Sequence, residues 1–302
     1  MKHKVLFVGG GRRVSLAKRF ISEQFEVFSY ETDKNAPIST VATIIDGKSW
    51  ADIDIKNHIL EICKNEKIDL AIPLQDHATV VLSEIVKDAA KNGTQIPTAS
   101  LEANQMCLDK KKFEEQLKEY DFYPKYTKDC KKVILKPRFG NSSKGIKVLS
   151  NDGIIDCGED NILQKFIEGG EEISVDAYFN KNSKLIDAVP RRRLEVQGGE
   201  VSKSITLNRN AFDVVEITKK VGEKFGLVGP TCCQYIIDNN QAFIMEINAR
   251  FGGGVILSLE AGFNMVDLLK KEYINNRNCS PIKYDWKTNF SMVRYFQEHF
   301  YE

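Results

Sequence analysis

The chain has 302 residues, 42% of them hydrophobic and 28% charged, the balance of an ordinary globular protein with room for about two domains. Its 43 basic and 42 acidic residues leave a formal net charge of +1, so no overall field gathers nucleic acid or an anionic membrane, and small molecules are the expected partners. No run reaches the ~18 apolar residues of a membrane span, and the apolar start is too short for a signal-peptide core, so the expected location is cytoplasmic.

Residues 4–8 read as a buried strand, followed by a Gly-rich turn at Gly9, Gly10 and Gly11 and a helix over residues 14–22. Strands at 26–30, 43–45 and 69–73, with a helix over 55–65, continue the alternation, which implies a parallel sheet covered by helices. From residue 101 the character changes. A Lys-rich helix over 101–120 precedes a strand at 133–136 and a Gly/Ser loop at 140–145; strands follow at 162–167, 173–179 and 185–190. A helix over 211–225 leads to two strands, 232–238 and 242–247, flanking Asn239-Asn240, a pair suited to a tight hairpin. The expected class is therefore α/β plus α+β, with a boundary near residue 100. Seven cysteines lack the paired spacing of a zinc site, and Cys232 and Cys233 read as reduced core residues.

Three segments carry chemistry. The strand ending in Lys136 runs into a loop holding Gly140, Ser143, Lys144 and Gly145, where small side chains let backbone N–H groups approach an oxyanion and lysines add point charges. It is not a P-loop, because G-x-x-x-x-G-K-[ST] is absent; by itself it also fits a basic surface hairpin. The second segment, Gln164, Lys165, Phe166 and Ile167 followed by Glu172, could give a purine an apolar slot with polar edges and give ribose hydroxyls an acceptor, or could be a solvated acidic hairpin. The third is the most specific. Period two on the last strand puts Glu246 and Asn248 on one face, with Arg250 continuing it and Gly252, Gly253 and Gly254 beyond. A carboxylate and an amide one strand step apart suit Mg²⁺, which keeps waters and phosphates as its other ligands. Gln234 on the neighbouring strand could join them, and Arg250 could face charge on a transferring phosphoryl group.

Taken in order, LDKKKFEE, VILKPRFGNSSKGI, LQKFIEGGEEISVDAYF, VPRRRLEVQGGEVSKSIT, FGLVGPTCCQYII and AFIMEINARFGGG resemble the ATP-grasp superfamily, nearest to its carbamoyl-phosphate-synthase-like and PylC-like ligases, over roughly residues 101–275. The resemblance implies a Rossmann-like domain over residues 1–100 and an ATP-grasp domain over 101–302, with a mobile lid at about 125–170. It implies ATP and Mg²⁺ (or Mn²⁺) as cofactors, Lys110, Lys136, Ser143 and Lys144 on phosphates, and Gln164 to Ile167 as the adenine hinge. That hinge often begins with Glu, where this chain has Gln164. It further implies Glu172 on ribose, Gln234, Glu246 and Asn248 on the metal, and Arg250 with Lys136 as catalytic groups. The implied activity is an ATP-dependent carboxylate–amine ligase acting through an acyl phosphate. Its acid and amine are expected to meet Gly10, Gly11, Arg12, Asp76, Arg191, Arg193, Gly252 and Gly253.

Other readings stay open. A relative that makes carbamoyl or carboxy phosphate would require bicarbonate. An NAD-binding oxidoreductase would use Glu31 or Asp33 on ribose, although Val14 stands where G-x-G-x-x-G needs its third glycine. A nucleotide-binding module without turnover would not need Glu246, Asn248 and Arg250 together. A homodimer is also left open, since no heptad or apolar stripe marks an interface.

Overall fold

A computed structural model describes residues 2–140, 145–153 and 155–300. It begins with β1 (His3–Val8), α1 (Val14–Ser22), β2 (Phe25–Glu31), β3 (Thr43–Asp46), α2 (Ile55–Asn65), β4 (Leu70–Pro73) and α3 (Asp76–Lys91). The four strands form a parallel sheet in the order β3-β2-β1-β4. Strand alternation sorts its two faces: Val5 and Phe7 of β1 pack with Leu16, Ala17 and Phe20 of α1, whereas Leu6 and Val8 pack with α2 and α3.

The Lys-rich segment is not one helix. Asp109 breaks it into α4 (Leu101–Leu108) and α5 (Lys110–Leu117), because its extended backbone and its carboxylate, accepting from the Lys111 N–H at 3.0 Å, restart the helix as an N-cap. A small antiparallel sheet, in the order β6-β5-β7, joins β5 (Lys132–Pro137), β6 (Lys147–Ser150) and β7 (Asn161–Lys165).

The central sheet has six antiparallel strands in the order β12-β11-β8-β9-β10-β13. They are β8 (Glu171–Phe179), β9 (Leu185–Gln197), β10 (Glu200–Thr206), β11 (Gly229–Asp238), β12 (Gln241–Asn248) and β13 (Ser291–Val293). The β11–β12 hairpin turns at Asn239 and Asn240, both with positive φ, as its residue pair predicts. One face of the sheet, with Ile173, Val175, Cys233 and Tyr235, packs on α6 (Val214–Phe225). The other carries Ser174, Asp176, Cys232, Gln234, Glu246 and Asn248, brought level by register: Cys232 lies between Asp176 and Asn248, and Gln234 between Ser174 and Glu246.

After β12 the chain turns through three glycines into α7 (Ile256–Ala261) and α8 (Met265–Leu269). Phe251, Val255, Leu259 and Met265 pack against the α1 side of the parallel sheet, and Phe251 meets Phe20 edge to face at 6.2 Å. The two sheets are thus joined through one apolar layer. Among the described residues no helix is long and apolar enough to cross a membrane, and the seven cysteines are free thiols.

Beneath that turn lies a buried ion pair. Arg191, 2% exposed, donates from Nε to Asp176 at 2.7 Å, and the Ser258 hydroxyl donates to the same carboxylate at 2.7 Å. Removing one partner of such a pair leaves an uncompensated buried charge. Asp176→Ala should therefore cost roughly 3–5 kcal/mol in urea unfolding, against roughly 1 kcal/mol for Ser258→Ala; equal losses would mean that the carboxylate is not what holds the arginine in the core.

Candidate active site

The end of β12 faces a cleft lined by Asp76, Asn104, Lys110, Gly140, Glu246 and Asn248. Strand periodicity puts Glu246 and Asn248 on its wall, and hydrogen bonds string Arg250 to them. Asn248 Nδ2 donates to Glu246 at 3.2 Å, and Arg250 Nη2 donates to Asn248 Oδ1 at 2.9 Å. Arg250 then clasps Asp76 with two bonds, Nε at 2.7 Å and Nη2 at 3.2 Å. Asp76 opens α3, yet the N-cap position belongs to Gln75, so its carboxylate serves the arginine. Burial alone would lower the Arg250 pKa, but Asp76 outweighs it and raises the pKa, fixing the guanidinium as a cation.

Two lysines face this string. Lys136, near the end of β5, is only 7% exposed; burial pulls its ammonium down to about 8 against the pull of nearby Glu246, with Lys110 lowering it further. Lys110 is held from two sides, its N–H donating to Arg138 O at 3.2 Å and its Nζ to Gly140 O at 2.8 Å. Its pKa is also lowered, by burial, against Glu246, Asp76 and Asp109. Arg138 clamps Asp109 through Nε at 2.8 Å and Nη2 at 2.6 Å, which ties the strand carrying Lys136 to the helix carrying Lys110. Two desolvated cations beside one carboxylate make a site short of negative charge. Ser143 and Lys144 lie outside the described residues.

The base and ribose candidates come from β7, β8 and the turn between them. Gln164 is 1% exposed; its Nε2 donates to the Tyr123 hydroxyl at 2.6 Å, while its buried Oε1 has no partner among the described residues. The Lys165 and Phe166 N–H groups go to Pro124 O at 3.0 Å and Lys132 O at 3.2 Å. Ile167 is buried, and Glu172 is half exposed and pairs with Arg193 at 3.1 Å.

Several expectations change on inspection. Arg191 and Arg193 lie inside β9, a 13-residue strand that runs on past the expected end at residue 190. Arg191, expected at substrate, is instead buried on Asp176, with Gly254 of the glycine turn packed directly over its guanidinium. Arg193 bridges Glu172 and Gln234, donating to Gln234 Oε1 at 2.7 Å, so the oxygen expected on a metal carries a guanidinium hydrogen bond. At the first turn, Gly11 N–H donates to Glu31 at 2.8 Å and Gly10 packs against Ser29 and Glu31, which engages the acid that a dinucleotide reading needs for ribose. Arg12 is exposed; its neighbour Arg13 points inward and donates to Gly252 O at 3.1 Å.

Arg13 and Arg294 were not singled out from the sequence, yet both converge on the glycine turn. Consecutive carbonyls there each accept from a different arginine: Phe251 O from Arg250, Gly252 O from Arg13, and Gly253 O from Arg294. A signal for Arg13 existed. With Leu16, Ala17 and Phe20 it falls at i, i+3, i+4 and i+7 on the inward stripe of α1.

A model of ATP-grasp domains in the biosynthetic pathway with the Ter operon matches residues 158–294, and a model of the PylC-like N-terminal domain matches residues 5–97. The second half of the chain is thus similar to ATP-grasp domains, and its first hundred residues to the PylC-like N-terminal domain. Tyramine–L-glutamate ligase of Methanocaldococcus fervens is 27% identical over 74% of this chain and 72% of its own. The carbamoyl phosphate synthase large chain of Thermoanaerobacter sp. is 25% identical over 70% of this chain and 22% of its own. The chain spans between 8% and 24% of the carbamoyl phosphate synthases that it matches. In fold, it resembles N5-carboxyaminoimidazole synthetase from Staphylococcus aureus complexed with ADP, with TM-score 0.67, 17% identity, and coverage of 93% of this chain and 80% of the other. The ATP-grasp fold thus accounts for the parallel sheet followed by the small and central antiparallel sheets.

The donor set bears on magnesium. No group of three His, Cys, Asp or Glu side chains among the described residues could cage a metal. Glu246 and Asn248 offer one carboxylate and one amide, a set that fits a cation arriving with phosphates as its other ligands.

Free lysine titrates near 10.4, so the unliganded protein loses the Lys136 charge as pH rises through about 8, whereas a phosphate beside it would hold the proton. ADP binding should then take up a proton above that pH and weaken toward tenfold per pH unit until about 10. Calorimetric titration across that range checks this; a flat affinity in the wild type, or the same slope in Lys136→Met, would remove Lys136 from the phosphates.

Proposed function

We propose that this ATP-grasp chain is an ATP-dependent carboxylate–amine ligase. The observation that carries the reading is the linked series Glu246, Asn248, Arg250 and Asp76 facing the desolvated Lys110 and Lys136. Such a site has cations placed before the reaction where phosphoryl charge must be held, and dry surroundings strengthen them. A substrate carboxylate oxygen attacks the γ-phosphorus and the bond to ADP breaks, giving an acyl phosphate. The amine nitrogen then attacks the acyl carbon, phosphate leaves with its bonding pair, and the nitrogen loses a proton to form the amide.

In this reading Lys110, Lys136 and, from the glycine and serine loop, Ser143 and Lys144 hold the phosphates. Arg250, kept extended by Asp76, meets the transferring group. Glu246 and Asn248 would hold Mg²⁺, which supplies neutralising charge to the phosphates; Gln234 joins them only after giving up Arg193. The segment from Gln164 to Ile167 receives adenine and Glu172 the ribose. Residues 101–302 are the ATP-grasp domain, within which about residues 125–170 act as the lid, and residues 1–100 face the acceptor. The likeness to a tyramine–L-glutamate ligase over most of both chains supports an acid and an amine as the substrates.

Phosphate release from Mg-ATP, measured against paired panels of amino acids and amines that include L-glutamate and tyramine, tests the proposal. One pair should stimulate turnover, and Glu246→Ala and Arg250→Ala should each lower kcat by at least about 10²-fold. Turnover driven by bicarbonate alone would transfer the chain to the carboxy-phosphate-forming reading, and absence of ATP binding would overturn both.

The orphaned Gln164 Oε1 gives a sharper test of the base. An adenine amino group could donate to it, whereas a guanine carbonyl would meet it acceptor to acceptor. Gln164→Met should raise the KM for ATP about tenfold, the value of one lost hydrogen bond, and narrow the preference for ATP over GTP. Unchanged discrimination would mean that this oxygen does not face the base.

A further inference from the structure

The glycine turn gathers more positive charge than the phosphoryl reaction uses. Arg250 is committed to Asp76 and to the end of β12. Arg13, from the start of α1, and Arg294, just past β13, come to the same turn from opposite ends of the sequence. They share one acid, Glu200. Its Oε2 accepts from Arg294 Nη1 at 3.0 Å, and it presses so close to Gly253 that a Cβ there would sit 2.6 Å from it and 3.3 Å from Arg13 Nη1. A glycine at position 253 is what gives a carboxylate access to both guanidinium groups.

Glu200 is a poor permanent strut. It is the first residue of β10, immediately after Gly198 and Gly199, both with positive φ. The β9–β10 register shifts twice between Val201 and Ser204, and the Glu200 side chain is 52% exposed. A tip joined through a glycine pair and an irregular ladder can swing away at little cost. Arg13 itself is drawn down to about 10 by burial, against the pull of Glu200 and with help from Arg250 and Arg294. The cluster holds three guanidinium groups against two carboxylates, so it remains short of negative charge even with Glu200 in place.

We propose that Arg13, Arg294 and the Gly253 turn form a binding subsite for a carboxylate of the acid substrate other than the one that is activated, and that Glu200 occupies it until substrate displaces it. The acid would then be a dicarboxylate or an amino acid that keeps one carboxylate unreacted. That this anion belongs to a substrate rests on the ligase reading; that the two arginines bind a displaceable anion does not.

Succinate, with propionate as the single-carboxylate control, is the probe, titrated calorimetrically into the wild type, Glu200→Gln, Arg13→Ala and Arg294→Ala, with ADP titrated into the same four proteins. Removing the internal competitor should tighten succinate by about tenfold or more in Glu200→Gln, and losing either charge-assisted contact should weaken it by a similar factor. ADP affinity should stay level throughout. Arg294, lying at the surface, keeps the test sound if Arg13→Ala fails to fold. Succinate binding no tighter in Glu200→Gln, or undiminished in Arg294→Ala, would overturn the subsite. If the succinate pattern holds while ADP fails to bind the wild type, the ligase reading falls and the anion subsite stands.

Discussion

The clasp of Arg250 on Asp76 is the constraint on which the rest of the site depends. Arg250 follows β12, an edge strand of the central sheet, and Asp76 opens the helix after the last strand of the parallel sheet, so one bidentate ion pair sets the distance between the two sheets at the cleft. The planar fork of a guanidinium accepts only a narrow range of orientations. With Nε and Nη2 fixed on the carboxylate, Nη1 falls on Phe251 O, and the chain leaves β12 in a defined direction. Phe251 then enters the apolar layer against Phe20, and the two carbonyls that follow are left to accept from Arg13 and Arg294.

A turn that collects cations needs support from below, and the buried pair of Arg191 and Asp176 supplies it. Gly252 sits where a Cβ would be 2.7 Å from Cys232 Sγ and 2.9 Å from Asp176, and Gly254 where one would be 2.6 Å from Arg191 Nη1. Gly252 and Gly254 are therefore required by close packing on a charged core. The cost is visible in Arg191 Nη1, which is buried without a partner among the described residues. An unpaired donor of that kind carries a penalty of about 1–3 kcal/mol, tolerable because Asp176, with Ser258 on it, compensates the charge itself.

Legibility from the sequence follows the range of the forces involved. The β1–α1 unit, α2 and the β11–β12 hairpin lie close to where periodicity and turn residues put them, since each is settled by neighbours a few residues away. The helical break at Asp109 is equally local but hides in a run of good helix formers. What the sequence could not give is choice among like residues. Arg191 and Arg193 look equivalent in a basic stretch and share one face of β9, yet their different places along the strand bury one against Asp176 and bring the other to Glu172 and Gln234. Arg294 meets Gly253 from 41 residues away, and Glu200 meets Arg294 from 94; no local pattern encodes such a meeting. The string of Glu246, Asn248 and Arg250 was legible because period two along a strand is the one rule that puts three polar side chains in line without tertiary information.

The same string explains how an unliganded site can stay assembled without closing itself to a cation. Asn248 Oδ1, an oxygen suited to magnesium, accepts from Arg250, and Gln234 Oε1 accepts from Arg193. Both bonds satisfy side-chain acceptors that would otherwise be unpaired in a partly buried wall. A divalent cation at Glu246 would repel the Arg250 guanidinium from Asn248, yet the arginine need not leave the site, since Asp76 and Phe251 O retain it. Phosphate oxygens arriving with the cation then offer Arg250 a more strongly charged partner than an amide. In the proposed reaction the arginine would change partner while its anchor stays constant. On that proposal Asp76, at the start of α3 beside the first sheet, would be as much a part of the phosphoryl site as the strand that carries Glu246.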